Sequence, residues 1–252
     1  MYGAESHGAE SHGAQAQEPW PAGPRGTPPV LMAQTWADAV FLHWRIPPSV
    51  AAPYMPAGVE PDSFHGSTYV GLIGFYAPET RLFGRLPVPW FGAFTEINVR
   101  LYSRGVDGSR GVLFLTLDAS RLAPVLVARA LQIPYVWSRC RATRSGRARG
   151  YDVERFGAQA HTSFAVVPQD GEQADDGLSL WLTARFGLHA ALCGRTVFIP
   201  NSHRPWPLQP ATLTHCSDEL VPAAGLPVSG PPDTVHYSTG VRTLFGRPRP
   251  VA

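Results

Sequence analysis

Glycine or proline fills about one position in five of this chain, 25 glycines and 26 prolines among 252 residues, and that frequency limits how long any regular element can run. Proline removes a helix N–H and clashes with the preceding turn, and glycine weakens a helix interior. This argues against a helical bundle, and short strands joined by many turns are expected. Hydrophobic residues at 44% supply a core, and charged residues at 16% are too few for a disordered chain. Residues 3–7, Gly-Ala-Glu-Ser-His, are repeated at 8–12 and run into a Pro/Gly-rich stretch. Residues 1–30 are therefore read as a disordered low-complexity tail, with His7 and His12 as part of its repeat, and residues 31–252 as one domain.

All 21 residues of the Lys+Arg count are arginine, because the chain contains no lysine. Schiff-base catalysis through a lysine amine and phosphate binding by a P-loop lysine are both excluded in their usual form. A formal charge of +2 is too mild to imply a nucleic-acid partner by itself. Cysteines at 140, 193 and 216 have no Cys-x-x-Cys spacing, so neither a disulfide framework nor a zinc site is signalled, and a reducing compartment fits. The amino end lacks a basic stretch followed by an apolar one, and no apolar run reaches about 18 residues. No membrane span is expected, and the cytoplasm is the expected location. The chain has no His-x-His, His-Glu-x-x-His or Gly-x-Ser-x-Gly, and no Gly-x-Gly-x-x-Gly opening a helix. No metal and no cofactor are expected.

Along the chain, the apolar run from Trp36 to Ile46 predicts a buried strand stopped by Pro47-Pro48, followed by a short helix over Pro48 to Tyr54. Tyr69 to Tyr76 predicts a strand, and the proline-rich segment Pro78 to Gly92 a long loop. Phe94 to Tyr102 alternates cleanly, with Thr95, Ile97, Val99 and Leu101 on one face and Glu96, Asn98 and Arg100 on the other. Asp107-Gly108 supplies a hairpin turn into a strand over 112–117. A helix is expected over Pro124 to Gln132, with strands over 135–144, 148–155, 160–167, 197–199, 211–216 and 235–241. Gln169 to Gly177 reads as an acidic loop, Leu178 to Phe186 suits helix or strand, and Asp218 caps a short helix.

Three clusters could carry chemistry. Glu96, Asn98 and Arg100 offer a carboxylate base, an amide and a fixed cation on one strand face, or else a solvated face with a cross-strand ion pair. The segment His203-Arg204-Pro205-Trp206-Pro207 is either a binding cluster on an irregular segment or a rigid corner over the core. Arg139, Arg141, Arg144, Arg147 and Arg149 surround a probable turn at Ser145-Gly146. A charged outer hairpin face accounts for them better than nucleic-acid contact. His43 and Arg45, at the end of an apolar strand, must be paired or lie near solvent.

The motifs His43-Trp44, Pro56-Ala57-Gly58-Val59-Glu60, Phe64-His65-Gly66 and Phe94-Thr95-Glu96-Ile97-Asn98-Val99-Arg100 resemble the YqjF-like family, which has no assigned activity. Ile133-Pro134-Tyr135, Leu182-Thr183-Ala184-Arg185-Phe186, Trp206-Pro207-Leu208 and His236-Tyr237-Ser238 agree, so the resemblance spans Trp36 to Phe245. That family is more distantly similar to acetoacetate decarboxylase. The resemblance implies a mainly β (α+β) fold, a closed or nearly closed β-barrel with a few peripheral helices around an internal pocket. It places a substrate-holding arginine on Arg45 and a pocket glutamate on Glu96. The Schiff-base lysine falls on or beside Tyr135 and Val136, and a second pocket glutamate near Gly71, so both are lost here.

The resulting expectation is a small-molecule pocket protein, a cofactor-independent lyase, isomerase or cyclase acting on an oxo acid or polyketide-like carbonyl compound. Glu96 is the expected base and Tyr135 the hydrogen-bond donor to the developing oxyanion. Arg45, Asn98, Arg100, Arg185, His203 and Trp206 are expected to bind substrate. A non-catalytic ligand-binding protein of the same fold stays open beside it, as does a filled core with a buried ion-pair network. The expected partner is a small carbonyl or carboxylate ligand. Neither a membrane nor nucleic acid is expected as a partner, and a homo-oligomer is compatible with the sequence.

Overall fold

Residues 94–102 alternate because both faces of their strand are buried, each against a different interior. The computed structural model describes residues 29–88, 92–121, 134–157, 160–192 and 194–251. The expected helix over Pro124 to Gln132 and the amino-terminal tail before Pro29 lie outside the described residues. In chain order the strands are β1 (Met32–Ile46), β2 (Val59–Pro61), β3 (Thr68–Leu82), β4 (Leu86–Pro87), β5 (Phe94–Gly105), β6 (Arg110–Ala119) and β7 (Tyr135–Ser145). They continue with β8 (Ala148–Arg155), β9 (His161–Pro168), β10 (Gly187–Leu192), β11 (Arg195–Ser202), β12 (Leu208–Ser217), β13 (Thr234–Phe245) and β14 (Arg249–Pro250). Helices are short: α1 (Pro48–Ala51), extended by a 3-10 turn over Ala52–Tyr54, α2 (Gly177–Thr183) and α3 (Leu220–Ala223).

The pairings close on themselves twice. One ring runs β5–β6–β7–β8–β9–β12–β13–β1–β3 and back to β5. A second leaves the same wall at β6 and returns through β10 and β11 to β13. Strands β13, β1, β3, β5 and β6 are common to both, so side chains of one parity face one interior and those of the other parity face the second. Val40, Leu42, Leu72, Ile97, Val99 and Leu101 pack with Tyr151, Val153, Phe164 and Val166 in a filled apolar core. Tyr69, Tyr102, Val112, Leu188 and Val197 form the other, with Trp181 and Leu182 of α2.

A bulge lets β6 serve the second interior along its whole length. Val99 pairs with Thr116 but Arg100 pairs with Phe114, so Leu115 is the extra residue and the side-chain parity flips there. Phe114 and Leu117 both face the second interior as a result.

The expected loop over Pro78 to Gly92 is instead strand and hairpin for most of its described length. β3 runs on to Leu82, turns through Phe83 and Gly84, and pairs with β4. Pro78 is tolerated because it sits past the end of the β5 pairing, at an unpaired position of β3. The ambiguous segment at 178–186 resolves as α2, whose first turn is capped by Asp176, accepting from Leu178 N at 2.9 Å and Ser179 N at 3.1 Å. Asp218 likewise accepts from Leu220 N and Val221 N at the start of α3. The Arg139–Arg149 hairpin is present as β7–β8, and four of its five arginines meet carboxylates: Arg139 with Glu154, Arg144 and Arg149 with Asp38, Arg147 with Asp170. Among the described residues no helix is long and apolar enough to cross a membrane.

Candidate functional site

The second interior is not filled. A cavity of about 260 Å³ remains between β5, β6 and the β10–β11 pair, near the small end of ligand sites. Aromatic and aliphatic side chains make most of its wall, with Trp36, Phe75, Phe114, Trp206 and Phe245 among them. Trp36 and Trp206 stack nearly parallel at 5.9 Å, and Trp206 also meets Phe41 edge-on at 5.1 Å. The Pro-Trp corner and the binding cluster foreseen at 203–207 are therefore one structure, since His203 and Trp206 both line the cavity.

Glu96 stands at one end, 3% exposed. The Tyr135 hydroxyl donates to its Oε2 at 2.8 Å and Asn98 Nδ2 donates to its Oε1 at 3.2 Å. Burial pushes the carboxyl up to about 7; the Tyr135 and Asn98 hydrogen bonds oppose that rise and the nearby Asp118 charge adds to it. Tyr135 is held well above the ordinary phenol range by burial and by the facing Glu96, so it remains a donor. Asp118 lies behind, held by Ser138 Oγ at 2.7 Å and bidentately by Arg155 at 2.8 Å.

Arg100 stands at the other end, four residues along the same face of β5. Its Nη2 donates to the Tyr102 hydroxyl at 3.3 Å and to Leu182 O at 3.4 Å, and its guanidinium lies 5.7 Å from the Phe41 ring. Among the described residues no carboxylate lies within ion-pair reach of it, and its buried Nε lacks a hydrogen-bond partner. His43 Nε2 lies 2.7 Å from the same Tyr102 hydroxyl and its Nδ1 3.2 Å from Thr234 Oγ1, so a neutral ring donates through one nitrogen and accepts at the other. Burial, then the Arg100 charge, then His236 lower the His43 pKa well below the usual value, so the ring is neutral. Gly71 makes room for it: a Cβ there would sit 3.1 Å from His43 Cδ2 and 2.7 Å from Ile73 Cδ1. The ring occupies the space beside the position where the resemblance put a second glutamate.

Arg185 reaches the cavity wall with its charge already engaged. Its Nη1 meets Asp62 at 2.5 Å, its Nε donates to Trp181 O at 2.7 Å, and its guanidinium lies 4.1 Å from the Trp181 ring. Asp62 also takes both nitrogens of Arg110, at 3.0 and 2.9 Å. Burial works to raise the Asp62 carboxyl, but the two arginines outweigh it and the net direction is down. Arg185 thus anchors α2 to the sheet rather than offering an open cation. His203 Nδ1 lies 2.7 Å from Arg204 O and its Nε2 3.3 Å from Arg185 O, and the ring nitrogen that carries the proton donates to the carbonyl it faces.

Arg45 is a correction. It is exposed at the end of β1, its guanidinium 6.0 Å from the Tyr69 ring, and it is outside the cavity lining. It shares a strand face with Phe41 and His43, which are buried while Arg45 is exposed. Arg100, on a different strand, holds the open cation instead. The sequence reading missed Trp36, Asn201 and Asp62; Asn201 lines the cavity with a buried Oδ1 that has no partner. Asn201 was hidden because it follows Pro200, beyond the apolar stretch at 197–199 that marks the strand, and the paired β10 is rich in Gly, Ala and His, which are weak strand signals. Among the described residues no group of three or more His, Cys, Asp and Glu side chains could hold a metal ion.

The fold is shared with acetoacetate-decarboxylase-like proteins. Acetoacetate decarboxylase from Legionella pneumophila superposes with a TM-score of 0.59 at 12% identity, covering 100% of this chain and 98% of that one. An acetoacetate decarboxylase-like enzyme from Sphingomonas wittichii RW1 gives 0.63 at 12% identity, over 88% of this chain and 94% of its own. The enduracididine biosynthesis enzyme MppR, in complex with pyruvate, gives 0.64 at 14% identity over 90% and 92%. Within that fold, the chain belongs to the DUF2071 family of uncharacterized conserved proteins, which it matches over residues 33–242. The uncharacterized protein YqjF of Bacillus subtilis strain 168 is 27% identical over 219 residues, 85% of this chain and 90% of that protein.

Proposed function

We propose that the cavity binds a small anionic carbonyl compound and that Glu96 exchanges a proton with a carbon next to the carbonyl, as in a cofactor-independent lyase, isomerase or cyclase. The observation that carries the reading is a buried carboxyl, poised to lose its proton near neutral pH and bonded to a phenol, in the same cavity as an unpaired arginine. Once Glu96 takes the substrate proton, it becomes a donor and can bond to the Tyr135 oxygen. The Tyr135 hydrogen is then released toward the substrate oxygen on which charge develops. Proton abstraction and oxyanion stabilisation are coupled through one hydrogen bond that reverses.

One observation favours the non-catalytic alternative: both Glu96 oxygens are already engaged, by Tyr135 and Asn98. Proton exchange in deuterium oxide separates the two readings. Wild-type protein is incubated with oxo acids and aryl ketones, and the C–H signal next to the carbonyl is followed by NMR. Glu96→Gln is expected to lose at least about a hundredfold in exchange rate while keeping ligand affinity. Binding without exchange would leave a ligand carrier.

A further inference from the structure

We infer that the β3–β4 turn is a docking tip for an anionic lipid surface, inserted there by its apolar side chains and held by the arginines around it. Seven large apolar side chains are exposed among the described residues, and three of them fall within five positions: Leu82 at 46%, Phe83 at 64% and Leu86 at 60%. Singly scattered exposed leucines need no explanation, but a cluster at the apex of a hairpin marks a contact surface. The contact needs no chemistry in the cavity and stands apart from the proposed proton transfer.

Folding alone does not ask for a phenylalanine at this apex. Arg85 N donates to Leu82 O at 3.1 Å, closing a turn whose two central residues, Phe83 and Gly84, have φ of +51 and +70. Turns with both central residues at positive φ select asparagine, aspartate or glycine, because a bulkier side chain is strained there. Gly84 meets that demand and Phe83 does not: the ring holds the backbone in a disfavoured conformation and is then left in water. Burial of the ring in an apolar phase offsets both costs.

Charge selects the partner. Arg81 reaches the turn through Nη1 to Arg85 O at 3.3 Å, and Arg242 of β13 through Nη2 to Gly84 O at 3.5 Å. Arg85 lies in the turn itself and is exposed. Against these three cations stands the carboxylate of Glu79, paired with Arg81 at 2.5 Å, so three positive charges less one leave the tip at +2. Guanidinium groups collaring apolar side chains match the boundary of an anionic bilayer, where phosphates meet the arginines and acyl chains take the ring. A lipid surface also accepts a convex tip, whereas a protein partner must offer a matching hollow.

The sheet register carries the same surface to the cavity. Leu86 pairs with Leu82, Leu82 with Met32, and Met32 with Phe245. Residues directly opposite in antiparallel strands share a face, so these four form one apolar row, and its inner half, Met32 and Phe245, lines the cavity. A bilayer under the tip therefore meets the outer end of a row whose inner end is cavity wall. The sequence expectation of no membrane partner rested on the lack of a long apolar run, and three side chains at a turn make no such run.

The test is co-sedimentation of the full chain with vesicles of phosphatidylcholine alone and of phosphatidylcholine mixed with phosphatidylglycerol. Wild type should partition at least about tenfold more onto the anionic vesicles, and the excess should fall as salt is raised. Phe83→Asn suits the turn, so it should keep or raise stability in urea denaturation while cutting vesicle binding by at least about fivefold. Leu86→Ser should cut binding by a similar factor, and Arg85→Gln by about fivefold on the anionic vesicles only. Equal binding to both vesicle types, or binding undiminished in Phe83→Asn and Leu86→Ser, overturns the docking tip. So does the absence of vesicle binding by wild type; a dimer in sedimentation equilibrium that Phe83→Asn abolishes would then reassign the tip to an interface between copies of the chain.

Discussion

Glu96 is stabilised by two donors and penalised by burial, and burial wins. Its carboxyl titrates at about 7 in the folded protein against an ordinary 4.5, so between those values the folded chain holds a proton that the unfolded chain has released. Stability is therefore greatest below the unfolded value and falls as pH rises toward 7, flattening above it. Glu96→Gln cannot ionise and escapes this loss. Relative to wild type, the variant should gain on the order of 3 kcal/mol between about pH 5 and pH 8, measured by urea denaturation at each pH. A wild-type-to-variant difference that stays constant over the range would show that the carboxyl titrates near its ordinary value and is not tuned toward neutral pH. The same titration gives exchange activity its sign: it should rise with pH through about 7, because only the ionised form accepts the proton.

At the scale of elements, Asp38 holds β1 to the rest of the sheet. It occupies a bulge with φ +52 and has no cross-strand partner in either flanking ladder. Its carboxylate accepts from the Tyr237 hydroxyl of β13 at 2.7 Å and pairs with Arg144 and Arg149 of the β7–β8 hairpin, and its carbonyl accepts from the Tyr151 hydroxyl at 2.7 Å. Asp38→Ala loses the carboxylate and puts a Cβ without a compensating polar group at positive φ, and should cost about 2–4 kcal/mol in urea denaturation. Asp38→Asn keeps an acceptor and tolerates the conformation, and should cost about 1 kcal/mol. Equal losses would mean that the bulge is held by its backbone alone. Asp38 also shows where the sequence is mute. Alternation over 94–102, the Asp107-Gly108 turn and the prolines after Ile46 are local signals, and each marks its element. A bulge that flips parity, such as those at Asp38 and Leu115, depends on the partner strand. The same holds for Arg45 and Arg100: both sit on loaded strand faces, and only the path of the neighbouring chain decides which of them meets open space.

Seen as a whole, the molecule is two interiors sharing one wall, and residues adjacent in sequence belong to different ones. Leu72 points into the filled side, fully buried among Leu42, Val99 and their neighbours. Phe114 points into the cavity and is only half-buried. Truncating the first leaves a void in a packed core and should cost about 2–5 kcal/mol, while the cavity already beside the second softens its loss to less than about 2 kcal/mol. Ligand binding should show the opposite order. Leu72→Ala should keep the affinity of wild type for whichever oxo acid or aryl ketone shows exchange within about threefold, because distant sites with no shared contacts act nearly independently. Phe114→Ala removes part of the apolar wall and should weaken binding by about tenfold or more. Denaturation curves and titration of the two variants test both orders. If Phe114→Ala were as destabilising as Leu72→Ala and left affinity unchanged, the second interior would be a packed core and the cavity would have no ligand to hold. The shared wall also explains how a chain so rich in glycine and proline keeps Glu96 and Arg100 fixed on one strand. The filled ring makes β5 rigid from behind, and the cavity uses the face that rigidity leaves in place.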